Sequence, residues 1–182
     1  TRFDRVGATK EPLAFMKKFV GTRNCIVVGS SWSEDEAVFL DAIKHTPSDW
    51  CWLIAPHEMH EEKLNQLMGQ LPKESLRYSQ HEEASFVDCP VLVLDTVGLL
   101  SRCYPYASIA YIGGGMGTSG LHNILEPAAT GIPVVIGKNY SKFPEAKALI
   151  DLGGVVSVHD SNSCTHQIKT LVEDEGTRLQ QG

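Results

Sequence analysis

The sequence predicts an α/β fold, a doubly wound parallel sheet, and three observations predict it. Short continuous apolar runs of the kind found in buried parallel strands recur along the chain, and stretches with helical spacing alternate with them. One stretch, residues 112–138 (IGGGMGTSGLHNILEPAATGIPVVIGK), passes from a strand through a glycine-rich loop to a helix start and on to another strand. With 182 residues, of which 42% are hydrophobic, the chain holds enough apolar material for one core of ordinary size, so a single domain over residues 1–182 is expected.

Taken in order, residues 1–10 are charged and irregular. Residues 11–20 carry a short helical pattern with Phe15, Met16, Phe19 and Val20 on one face, which reads as a lead-in rather than a core element. Residues 25–28 are a buried strand, followed by a turn (GSSWSEDE) and a helix to about His45, with Ser33 and Glu36 matching a capping box. Pro47 and Ser48 break that pattern and residues 50–55 form a second buried strand. Residues 58–71 make a polar helix whose stripe is Leu64, Leu67, Met68 and Leu71, stopped at Pro72. Residues 76–79 are a short strand, HEEASFVDCP a loop or short hairpin, residues 91–95 a buried strand, and residues 96–106 a helix disturbed by Pro105. The remainder reads as a strand at 109–112, the glycine loop, a helix ending at Gly131, a strand at 134–136, a helix at 143–152, a strand at 155–158 and a last helix from about Ser163.

Composition excludes several classes. A formal charge of -6 gives no electrostatic footprint for nucleic acid or for an anionic bilayer, so neither is an expected partner. Five cysteines, odd in number and without CxxC spacing, argue against a disulfide framework or a zinc knuckle and fit a reducing cytoplasm. No apolar run approaches the ~20 residues that cross a bilayer, and no signal-peptide pattern opens the chain. Thr1 in place of methionine is consistent with a piece of a longer polypeptide.

Ligands of open parallel sheets bind at the carboxyl ends of the strands. Here the loops at residues 29–33, 56–59, 95–98 and 113–123 leave strands at that edge. In the last of them Gly113, Gly114, Gly115, Gly117 and Gly120 permit positive φ and close approach of the backbone to a bound group. Pro127 is tolerated only in a first turn, so the following helix is expected to begin around residues 123–126, with free N–H groups and a dipole facing the loop and attracting phosphate.

At these loops the sequence resembles the C-terminal half of the 3-deoxy-D-manno-oct-2-ulosonic acid (Kdo) transferases of lipopolysaccharide synthesis. These are GT-B-type glycosyltransferases with two Rossmann-like domains. Their two glycines, loop and G-G-H-N-P-L-E-P-A are met by Gly113, Gly114, Gly120, His122, Asn123, Leu125, Glu126, Pro127 and Ala128. Their D-T-x-G-E-L is met by Asp95, Thr96, Gly98 and Leu100, and their strand-end G-S by Gly29 and Ser30. Their P-R-H is met only by Pro56 and His57. The departures are Leu121 for glycine, Ile124 for proline, Leu99 for glutamate, and no arginine beside His57. The resemblance runs from about residue 1 to residue 152 and implies one half of a GT-B enzyme, the donor-binding one.

By physical role, Glu126 can accept hydrogen bonds from both vicinal hydroxyls of a ribose, or it can close a capping box with Asn123. His122 and Asn123 either hold the loop or touch phosphate. Ser30 and Ser31 either donate to a ligand or start the next helix through a local turn. His57 is a nucleotide contact or a helix-starting histidine, and a metal reading of His57 with His60 would need further ligands. Thr96 and Gly98 lie where a base or phosphate would pass, though threonine after a strand is also a common N-cap. Glu34, Asp35 and Glu36 read as a solvated helix start.

The resemblance implies CMP-Kdo as donor and a lipid A precursor as acceptor. CMP would lie on this sheet, with phosphate near Asn123 and ribose on Glu126. The family's general base and membrane-associating segment belong to its N-terminal half, so no catalytic residue, metal or cofactor is expected in this chain. The full enzyme would work at the cytoplasmic face of the inner membrane of a Gram-negative bacterium, this domain being soluble. The other readings are a UDP-sugar-using GT-B enzyme or UDP-sugar epimerase domain, and a non-catalytic nucleotide-binding module.

Overall fold

A computed structural model describes residues 11–182, so the expectation for residues 1–10 lies outside the described residues. The apolar runs form a 7-stranded sheet: β1 (Asn24–Ser31), β2 (Trp50–Pro56), β3 (Leu76–Arg77), β4 (Val91–Val93), β5 (Ile109–Ile112), β6 (Val134–Ile136) and β7 (Val155–Ser157). Every pairing is parallel, in the order β3-β4-β2-β1-β5-β6-β7. Val27, at the centre, pairs with Leu53 on one side and Ala110 on the other. From β1 the chain moves to one side of the sheet and from β5 to the other, which puts the topological switch point between the carboxyl ends of these two strands.

Alternation along the strands sends side chains to two apolar layers. Cys25, Val27, Leu53 and Ile112 face one layer, covered by α1 (Ala14–Val20), α4 (Leu100–Cys103), α5 (Leu125–Ala128) and α6 (Pro144–Asp151). Ile26, Val28, Trp52 and Tyr111 face the other, covered by α2 (Ser33–Lys44), α3 (Glu61–Met68) and α7 (Ser161–Glu173). The doubly wound parallel sheet expected from the sequence is the observed one. The stripe of α3 also holds: Leu64, Leu67 and Leu71 are buried and Met68 packs against them. All five cysteines are free and buried.

Several boundaries differ, each for a local reason. The lead-in segment is a core element. Phe15, Met16 and Phe19 of α1 are buried, Phe15 lies against Tyr78 with ring centroids 4.6 Å apart, and the Leu13 N–H donates to the Tyr106 hydroxyl at 2.9 Å. The helix expected over 96–106 shrinks to α4 and a 3-10 turn at Tyr104–Tyr106, because Gly98 takes φ 91, outside any helix. The segment after Arg77 turns into a 3-10 helix (Tyr78–Gln80), and a second 3-10 turn (Glu83–Phe86) occupies the expected loop. The helix after the glycine loop is one turn, α5, closed by Gly131 at φ 71. α7 begins at Ser161, where Asp160 accepts from the Ser163 N–H at 2.8 Å, and an unexpected α8 (Glu175–Gln181) follows it. The Arg178 guanidinium of α8 lies 5.1 Å from the Trp50 ring.

Candidate functional site

The switch point is built by the ends of β1 and β5. Gly29 and Gly113 lie side by side, with the Gly113 N–H donating to the Gly29 carbonyl at 2.9 Å, and a Cβ at Gly113 would run into the Ser30 carbonyl. β1 breaks register between Gly29 and Ser31, with Ser30 at φ 54. Ser31 is buried, and its hydroxyl donates to Glu36 at 3.2 Å while its carbonyl accepts the His57 N–H at 2.8 Å. Glu36 therefore serves Ser31 and makes no capping box with Ser33. The N-cap of α2 is Trp32, whose N–H donates to Asp35 at 3.0 Å.

Asp35 is fully buried, which corrects the solvated helix start expected for Glu34, Asp35 and Glu36. Besides Trp32 it accepts from the Gly114 N–H at 2.8 Å, the Tyr111 hydroxyl at 3.2 Å and the Met116 N–H at 3.3 Å. A buried carboxylate is tolerated when donors surround it, and here those donors tie the glycine loop to the start of α2. Burial, then Asp35, pushes the Tyr111 hydroxyl far above its usual pKa, so it stays a proton donor.

The rest of the loop is open. Gly114 has φ 87 and a Cβ there would strike the Gly120 carbonyl; the loop closes where the His122 N–H donates to the Gly113 carbonyl at 3.1 Å. Among the described residues, the N–H groups of Gly117, Thr118, Ser119 and Gly120 have no protein acceptor. The helix after the loop has four residues, so little dipole builds up there, and the donors open to a ligand at this edge are those of the loop rather than of the helix end.

Three rings stand beside the loop. Trp32 stacks on His57 with centroids 4.3 Å apart and an interplanar angle of 24°, and His57 and His122 are 4.7 Å apart. The Trp32 indole N–H donates to His122 Nε2 at 3.0 Å. Burial first and the neighbouring His57 second lower the His122 pKa, with Asp35 opposing them, which favours the neutral imidazole. His60, the N-cap of α3, is exposed, and among the described residues no His, Cys, Asp and Glu cluster could hold a metal. A cation that does reach this edge is Lys63 of α3, 3.3 Å from the Ser33 hydroxyl and 3.9 Å from Glu58.

Asn123 accepts the Leu125 N–H through Oδ1 at 3.0 Å, a local turn rather than a capping box with Glu126. The Glu126 carboxylate is exposed and has no hydrogen-bond partner among the described residues. It lies close enough to the buried Tyr104 to add, after burial itself, to the rise in that hydroxyl's pKa, and Tyr104 abuts Gly29. Glu126 thus lies on the side of Tyr104, the residue whose hydroxyl abuts Gly29 at the end of β1.

Thr96 and Gly98 follow β4, two strands from β1 and so ~10 Å across the sheet. Asp95, just before them, is fixed by Arg77 Nε at 2.9 Å and by the Ser79 N–H and hydroxyl, while Arg77 also grips Glu61 with two bonds of 2.8 Å. A shallow depression of about 250 Å³ lies at the opposite edge, lined by Arg23, Trp50, Trp52, Glu74 and Asp88 among others, and none of the sequence motifs reaches it.

No family model matches the chain. It is 25% identical over 169 residues to the 3-deoxy-D-manno-octulosonic acid transferase of Haemophilus influenzae, covering 83% of this chain and 40% of that protein. It is 30% identical over 156 residues to the transferase of the same name from Chlamydia muridarum, covering 84% of this chain and 36% of that protein. The chain thus spans well under half the length of these relatives. Among solved structures, the C-terminal CMP-Kdo binding domain of WaaA from Acinetobacter baumannii matches with a TM-score of 0.76 at 20% identity, over 90% of this chain and 91% of that one. The chain is a relative of the Kdo transferases and shares the GT-B-type, Rossmann-like fold of a C-terminal CMP-Kdo binding domain.

Proposed function

We propose that the chain is the donor-binding domain of a Kdo transferase. In this reading it binds CMP-Kdo, and an N-terminal half of the full enzyme supplies the general base, the lipid A precursor site and the membrane contact. The enzyme works at the cytoplasmic face of a Gram-negative inner membrane. Among the described residues no helix is long and apolar enough to cross a membrane.

The observation that carries the reading is the meeting, at one switch point, of open loop N–H groups with an unpartnered carboxylate, Glu126. Phosphate oxygens need the former and a ribose diol needs the latter. His122 and Asn123 flank them, Ser30 presents its backbone beside Gly113, and His57 lies on the ring cluster. Ser31, with its hydroxyl on Glu36, shapes this wall more than it touches the ligand. Thr96 and Gly98 reach only the far end of an extended nucleotide.

Glu126→Gln tests the reading. Glutamine keeps the volume but turns one acceptor into a donor, so CMP affinity measured by titration calorimetry falls tenfold to a hundredfold, about 1.5–3 kcal/mol, with the melting temperature unchanged. Unchanged affinity in a folded variant would remove Glu126 from the ribose role and the site assignment with it.

A further inference from the structure

The bond between Trp32 and His122 has a chemical consequence for the proton on His122. An indole N–H only donates, so the His122 Nε2 at 3.0 Å must be the lone-pair nitrogen. A neutral imidazole then carries its single proton on Nδ1. Among the described residues Nδ1 has no protein partner. Trp32 is in turn held on two sides: its ring stacks on His57, and its backbone N–H donates to the buried Asp35, which also accepts from the N–H groups of Gly114 and Met116 in the loop that His122 closes. Indole, imidazole and loop are therefore one hydrogen-bonded unit.

We propose that Trp32 is a positioning residue that locks His122 in the neutral Nδ1–H tautomer, so that His122 offers a donor, and not an acceptor or a cation, to an anionic oxygen of the bound nucleotide. This rests on the nucleotide reading of the same site. A donor aimed by a second residue fits phosphate or carboxylate oxygen and disfavours a ligand that presents an N–H or hydroxyl proton there. Protonation of His122 would set two N–H groups against each other across the 3.0 Å contact, which is why the lock and the charge exclude one another.

The experiment is nuclear magnetic resonance on the 15N-labelled chain, followed by CMP titration of the wild type and Trp32→Phe. The wild type shows an Nδ1-protonated His122 and a scalar coupling across the hydrogen bond from Trp32 Nε1 to His122 Nε2. In Trp32→Phe, which keeps a ring against His57, the Nε2–H tautomer appears and CMP binds about fivefold or more weakly. An Nε2–H tautomer in the wild type, or no coupling to Trp32, would overturn the proposal even if Trp32→Phe fails to fold. Equal CMP affinity in wild type and variant would overturn the ligand role alone. A wild type that binds no CMP would overturn the nucleotide reading and this role with it.

Discussion

Asp35 has no access to water and four donors around it, two of them the backbone of a loop 79 and 81 residues away in sequence. Its local context, three acids in a row at a helix start, describes a solvated end because the burying partner arrives only through the tertiary fold. Trp32, Lys63 and Tyr104 were illegible for the same reason, although an aromatic directly after Ser30 and Ser31 in the β1 to α2 loop was a signal that something stacks there. Glu126, His122 and the glycines were legible because their motif is contiguous. Asp35→Ala strands buried donors on Gly114 and Tyr111 and frees the part-buried N–H of Met116, so it costs on the order of 3 kcal/mol in urea unfolding, while Asp35→Asn, which retains one acceptor, costs less. A loss for Asp35→Ala below about 0.5 kcal/mol, the range of ordinary surface substitutions, would mean the loop is held by something else.

At the scale of elements, strands were read correctly wherever apolar runs were continuous, since parallel strands covered on both faces leave no polar face to blur the pattern. The helices after β4 and after the glycine loop are shorter than their sequence patterns predict. Gly98 at φ 91 ends one before it begins, and a single turn with Pro127 is all the other needs to bring Glu126 to the switch point. The β4 end is also where acid sensitivity belongs. Burial alone would raise the Asp95 pKa, but hydrogen bonds from Ser79 and then Arg77 outweigh it and hold the carboxyl below its ordinary value of 3.8. A depressed carboxylate contributes stability that is present above about pH 4 and is lost as pH falls through the folded pKa. Asp95→Asn is therefore less stable than wild type at pH 7, and the gap narrows on titration from about pH 4 downwards. A gap constant with pH would show that Asp95 acts by shape and not by charge.

For the whole molecule, alternation of strands and helices predicted the sheet and its two covered faces, whereas strand order could not be read, because periodicity says which residues are buried and not which strand lies beside which. The order matters for function: β1 and β5, adjacent at the centre, bring residues 29–31 against the start of the glycine loop at 113–114, although the two stretches are far apart in sequence. On the proposed reading the general base belongs to the other half of the enzyme, so the 182-residue chain is expected to bind nucleotide without transferring sugar, and Kdo transfer by the purified chain would relocate the catalytic machinery here. The most direct test of the donor reading is calorimetric titration of the wild-type chain with CMP and with UMP. CMP binds more tightly, and at a hundredfold excess over its Kd it stabilises the fold by about 2.7 kcal/mol, with UMP doing less at the same concentration. Equal affinity for both would contradict a CMP-Kdo site in favour of a UDP-sugar one, and binding of neither would contradict a nucleotide site at this switch point.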